Sequence, residues 1–145
     1  MEAARAHLAR NGNTFSPKER EAMIEEVGRV LNDLRFSGLF LPGSRAEVPI
    51  VARYRGHPIS GLVDRLAVTA DAVLIADFKT NKPAPRRFED APKAYVRQLA
   101  LYRAVLAQLY PEKAIRAALI WTDVPDLMEI PATAMDRELI SVTSP

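Results

Sequence analysis

Asp77 and Lys79 end "VLIADFK" (Val73 to Lys79), a stretch otherwise built of apolar residues and Ala. Residues two apart on a strand share a face, so an acid and a base point the same way where a buried type of strand ends. Two more acids, Asp64 in "GLVDR" and Glu47 in "AEVPI", lie on strand-like stretches upstream. A two-residue turn at Ala70-Asp71 pairs Thr69 with Ala72 and, counting outward, Asp64 with Asp77. A turn at Arg55-Gly56 pairs Tyr54 with His57 and, by the same count, Glu47 with Asp64. Glu47, Asp64 and Asp77 then form one row across three strands, with Leu62, Leu66 and Ile75 as neighbours. Opposed like charges on a sheet repel, and unpartnered carboxylates in poorly solvated surroundings are costly. A hard divalent cation, Mg²⁺ or Mn²⁺, removes that cost. A Lys beside it can hold or deprotonate a water, or steady a phosphate oxygen. That is the chemistry of metal-assisted phosphodiester hydrolysis. A solvated sheet edge with a surface salt bridge is the other reading, since a turn one residue longer flips a face. Both stand on the residues alone.

The elements that must position this row follow from periodicity. Ser16-Pro17-Lys18-Glu19 is a helix start with a Ser cap, Pro at the first position and Glu at the capping-box place. Met23, Val27, Val30, Leu31 and Leu34 follow at helical spacing, and Gly38 and Pro42-Gly43 close the segment. Strands are expected over roughly 46–54, 58–69 and 72–79. "NKPAPRRFEDAPK" is a Pro-rich loop of the length that often carries function. A helix from about Ala91 to Tyr110 places Tyr95, Leu99, Tyr102, Leu106 and Leu109 on one face. "AIRAALIWT" reads as another buried strand, "LMEI" as a short one, and the tail from Pro131 as a weak helical turn or two. Helix, three strands, helix, strand predicts an α/β domain with helices packed on a mixed sheet.

At 145 residues, 48% hydrophobic and 26% charged, the chain has the size and composition of one globular domain. The absence of cysteine excludes disulfides and thiolate metal sites and suits a reducing, cytoplasmic setting. No apolar run approaches a membrane span, and "MEAARAHLAR" is too polar for a secretory leader. The net charge of +2 is too small to argue nucleic-acid binding. The excess of 15 Arg over 5 Lys is read first as the bias of a GC-rich genome.

"GLVDR" (61–65), "ADFKT" (76–80) and "YVRQLALY" (95–102), in this order and spacing, resemble the RecB-type branch of the PD-(D/E)XK nucleases. More closely, the run from "GSRAEVPI" through "WTDVP" is similar to the C-terminal nuclease domain of AddA-type helicase-nuclease subunits of double-strand-break repair. The resemblance covers nearly the whole chain and implies a restriction-endonuclease-like fold, a three-strand antiparallel meander plus further strands flanked by helices. It implies Asp64 and Asp77 as metal ligands, Lys79 as the catalytic lysine, and Glu47 as an acid helping to bind or orient the metal. Gln98 and Tyr102 match the glutamine and tyrosine special to the RecB branch, whose spacing of four puts both on one helix face. Arg65 points to the opposite face from Asp64 and is expected to be structural.

The implied activity is a Mg²⁺-dependent nuclease of exonuclease type, with Mn²⁺ as substitute. Its substrate is single-stranded DNA delivered by the helicase region of a longer parent chain, and its partner an AddB-type subunit. Lys82, Arg86 and Arg87 either guide the DNA backbone or belong to a solvated, Pro-stiffened loop. The family's metal-ligating His lies on a helix ahead of these motifs. His7 does not match its setting and His57 falls in a surface turn, so that ligand is expected upstream, with this chain a single-domain fragment. Two other classes stay open: a catalytically silent nucleic-acid-binding or docking module, and a structural scaffold in which Glu47 and Asp64 pair with arginines.

Overall fold

A computed structural model describes residues 16–143. Five strands form one mixed sheet in chain order: β1 (Arg45–Tyr54), β2 (His57–Val68), β3 (Ala72–Lys79), β4 (Ala114–Trp121) and β5 (Asp126–Ile130). β1, β2 and β3 are an antiparallel meander; β3 and β4 run parallel, and β5 returns antiparallel. Helix α1 (Pro17–Leu31) precedes the sheet, α2 (Lys93–Leu109) makes the crossover from β3 to β4, and α3 (Ala132–Thr143) follows β5. Among the described residues no helix is long and apolar enough to cross a membrane.

The start of α1 is the capping box expected: Ser16 Oγ accepts from the Glu19 amide (3.2 Å) and Glu19 Oε2 from the Ser16 amide (2.7 Å). The helix ends at Leu31, and a 3₁₀ turn over Leu34–Phe36 redirects the chain. Leu34, expected on the helix's apolar face, is therefore exposed, and Phe36 and Leu39 enter the core instead. Arg55 and Gly56 both have positive φ (49° and 79°), the conformation that matches a two-residue hairpin to strand twist. At the next hairpin, Thr69 N donates to Ala72 O (2.8 Å), and Lys113 Nζ donates to the carbonyls of Thr69 and Ala70 (2.5 and 3.0 Å).

The two faces of the sheet carry separate cores. One gathers Val73, Ile75, Ala117, Leu119 and Trp121 under Val96, Leu99, Tyr102 and Leu106 of α2 and Met135 of α3. The other packs Leu74, Ala76, Ala118 and Ile120 against Val30 of α1, Phe36 and Leu39. With both faces covered, Val73 to Asp77 of β3 are all buried, as a central strand requires. Two expectations need correction. Leu109 ends α2 exposed, one turn past the last core position, and the tail from Pro131 is a full helix of 12 residues. Buried Met135 and the ion pairs Arg103–Asp136 and Arg97–Glu138 hold that helix to α2, tertiary contacts that weak periodicity does not display.

Candidate active site

Strict alternation along β2 fails at the point where chemistry was expected. Val63 and Leu66 pack into the same core, yet residues three apart on a regular strand face opposite ways. On β1 the residue opposite Asp64 by count is Glu47, which has φ of 52°. The register is unchanged on either side, Val48 with Val63 and Ala46 with Arg65, so both strands turn over locally while keeping their count. A non-glycine residue at positive φ is strained and is found where the surrounding structure enforces it.

The turnover splits the expected row of three acids. Asp64 and Asp77 meet: the Asp64 amide donates to Asp77 Oδ1 (3.3 Å), and the amide of Phe78 donates to Asp64 Oδ2 (2.8 Å). Each carboxylate thus takes a place in the β2–β3 ladder. Glu47 does not join them; it is exposed on the edge strand. Among the described residues no three His, Cys, Asp or Glu side chains converge as a metal-binding group. Leu62, expected beside the acids, is 48% exposed, because the break in alternation lies between it and them. Its carbonyl is used instead, accepting from the Tyr102 hydroxyl (3.4 Å).

Asp77 is 2% exposed. Burial holds its carboxyl above the ordinary aspartate range, against the opposing pull of the Asp64 amide and the Lys79 charge. Lys79 Nζ stands 3.9 Å from Asp77 Oδ2, beyond hydrogen-bond range. It donates to Gln98 Oε1 (3.1 Å) and lies 4.2 Å from the centre of the Tyr95 ring. Gln98 Nε2 in turn donates to the Tyr102 oxygen (3.2 Å). Burial, with smaller contributions from Asp77 and Asp64, raises the Tyr102 pKa, keeping it a neutral donor. Gly61 is what admits this ring to β2: a Cβ there would stand 2.8 Å from Tyr102 Cε1 and 2.9 Å from Cζ.

Strand β3, helix α2 and the turnover in β2 therefore bring Asp64, Asp77, Lys79, Gln98 and Tyr102 into one connected group. Tyr95 is an addition, since its position reads simply as part of an amphipathic face. Its usable signal was its place three residues before Gln98 on that face. Its hydroxyl donates to Asn81 Oδ1 (2.9 Å), its ring stacks obliquely near Trp121 (6.2 Å), and Ala84 N binds Asp123 Oδ2 (3.1 Å). The Pro-rich loop is tethered at both Asn81 and Ala84.

Lys82, Arg86 and Arg87 are exposed, with Arg87 paired to Glu89 (3.3 Å) and Arg86 bordering a groove between α1 and β5. Arg65 is structural: it donates to Leu39 O and Ser44 Oγ and stacks over Phe40. His57 is exposed at the hairpin, and His7 lies outside the described residues.

The donor set suits a divalent cation. Two carboxylates carry more negative charge than the one ammonium near them among the described residues offsets, one is deeply buried, and hard oxygens are what Mg²⁺ and Mn²⁺ take. Asp64 and Asp77 are the residues that would hold it.

No curated protein matches the chain significantly. Among solved structures, the crystal structure of SSO0001 is similar at 17% identity, covering 97% of this chain and 71% of that one with a TM-score of 0.38. The family model of the PD-(D/E)XK nuclease superfamily matches residues 2–138. The mixed five-stranded sheet between helices accords with the restriction-endonuclease-like fold of that superfamily, and the chain belongs to it.

Proposed function

We propose that this chain is the nuclease domain of a longer AddA-type helicase-nuclease, hydrolysing phosphodiesters of single-stranded DNA in recombinational double-strand-break repair beside an AddB-type subunit. The observation that carries the reading is the clasped Asp64–Asp77 pair with Lys79 held next to it by Gln98. A structural acid would be closed by a guanidinium, and Arg65, the nearest in sequence, is spent on backbone and Ser44.

Asp64 and Asp77 would hold a divalent cation, Mg²⁺ or Mn²⁺, which would acidify water and offset charge building on the phosphate. Lys79 has three N–H donors, of which Gln98 takes one. The others can serve a phosphate oxygen or the attacking water. Water adds in line to phosphorus and gives up a proton to solvent, while the opposite P–O bond breaks and its oxygen leaves with the electron pair and takes up a proton. Gln98 and Tyr102 position Lys79 without touching the reacting atoms. Glu47, exposed and lining one groove with Asp64, helps to orient the metal site from its rim. Lys82, Arg86 and Arg87 steer the backbone electrostatically.

The test is cleavage of end-labelled single-stranded DNA in Mg²⁺, Mn²⁺ or EDTA, beside Lys79→Ala. Metal-dependent cutting that falls by about 10²–10⁴-fold in the variant is expected. If neither this chain nor one extended upstream cuts, the domain is a silent binding module.

A further inference from the structure

We infer that the groove beside the acid pair receives the unpaired base of the nucleotide whose phosphate meets Asp64 and Asp77, with Phe78 as its stacking ring. This rests on the single-strand nuclease reading above. Phe78 stands between Asp77 and Lys79 and faces the other side of the sheet. It is 42% exposed, directly after five buried residues of the most buried part of β3. Its own amide is bonded to Asp64, so the ring begins where the acid pair ends. With Phe40, Ala46, Glu47, Asp64 and Arg65 it lines an open groove of about 520 Å³. Behind the same two aromatic rings lies a smaller apolar pocket of about 220 Å³, reaching Val27 and Leu31 of α1.

The charges choose between a phosphate and a base as occupant. Glu47, exposed and outside the ligand pair, repels a phosphate from this side, and Asp64 is engaged with the cation. The one cation that lines the groove among the described residues, Arg65, already serves Leu39 O and Ser44 Oγ and lies 5.6 Å from the Phe40 ring centre. The remaining surface is aromatic and apolar and suits a flat, uncharged group. Nucleobases present such a face, and every base has one, so the site needs no sequence preference. In a duplex that face is occupied by the neighbouring pairs. The groove therefore selects single strands.

The test measures binding of a fluorescent oligothymidylate of about twelve nucleotides, and of an abasic strand of equal length, to Lys79→Ala protein in Mg²⁺, which preserves the ligand. Phe78→Leu in that background should weaken oligothymidylate binding about five- to a hundredfold and leave the abasic strand unchanged. Phe78→Tyr should stay within about twofold, since the ring persists. Equal weakening of both strands, or none, overturns the proposal. So does a drop in melting temperature for Phe78→Leu without a change in binding, which would mean the protein itself covers the ring. Metal-dependent cleavage by the unsubstituted chain alongside such a result leaves the nuclease reading intact. Absence of both binding and cleavage removes the two together.

Discussion

Two clusters of charge sit on this sheet, and they are built on opposite principles. On the α1 side, Arg116 grips Glu129 with two hydrogen bonds (2.8 and 2.7 Å), lies over Phe36 and donates to the Arg35 carbonyl; Arg35 is itself paired with Asp33 (2.7 Å). Each acid there has a guanidinium matched to it in the bidentate or near-bidentate geometry that closes a carboxylate. At the end of β3, two acids lean on backbone amides, and the only cation near them among the described residues is turned toward an amide oxygen and an aromatic ring. The first cluster is complete within the protein. The second keeps charge unspent, which costs stability and leaves something for a ligand to complete.

The sharpest way to break this comparison is Asp77→Asn. Cleavage should fall by about 10²–10³-fold, while stability in EDTA at pH 7 should rise, on the order of 1 kcal/mol, because a buried charge has been removed and the Asp64 amide keeps an acceptor. Urea denaturation reads the second effect. A variant less stable than its parent would make Asp77 a closed structural charge like Glu129.

Tyr95 sharpens the comparison on the cation's side. Tyr95→Leu removes the ring against Lys79 and should slow cleavage about tenfold, within the range of a cation–π contact. Tyr95→Phe keeps the ring and loses only the Asn81 bond, so its rate should stay within about twofold to threefold. Equal losses in both variants would mean that the loop tether, and not the ring, is what Lys79 needs.

How much of this was readable beforehand depends on which forces decide each feature. The strand register was legible because Arg55-Gly56 and Ala70-Asp71 are compact turns, and counting from them places Glu47, Asp64 and Asp77 opposite one another. The fate of Glu47 was not, since nothing in "AEVPI" announces a glutamate at positive φ. Alternation at Val63–Asp64 fails for tertiary reasons: Val63 and Leu66 both reach the core under α2. Gln98 and Tyr102 stood out only through family resemblance, as four-residue spacing on a helix is commonplace. Gly61 had a visible type but no visible reason until Tyr102 was seen against it. Helix α3 was underestimated because ion pairs from α2 do what its own periodicity does not.

On the closed side, Arg116→Ala should cost about 1 kcal/mol in denaturation, as Glu129 loses its fork and Phe36 its cover, with cleavage unchanged. A fall in cleavage larger than about twofold would show the two clusters to be coupled through β4 and not independent.

The smallest effect carries the clearest sign. The Arg35 hydrogen bond holds the Asp33 carboxyl below its ordinary pKa of 3.8. The stability it contributes is therefore present above that pH and is lost as pH falls through the lowered value. Asp77 is raised, so its folded state is favoured at acid pH, and that advantage is lost as pH rises through its elevated value. Asp33→Asn keeps the oxygen that accepts from the Arg35 amide and removes the charge together with the Oδ2 acceptor of Arg35 Nη2. Its cost at pH 7 should be about 0.5 kcal/mol, reduced by solvent exposure of the pair and by 1 M salt, and should vanish well below pH 3.8. The Asp77→Asn gain should run the other way, absent at acid pH and growing toward neutrality. Stability profiles of the two variants that slope in the same direction would contradict the division into closed and open charge, because both follow from which acids the fold has supplied with a partner.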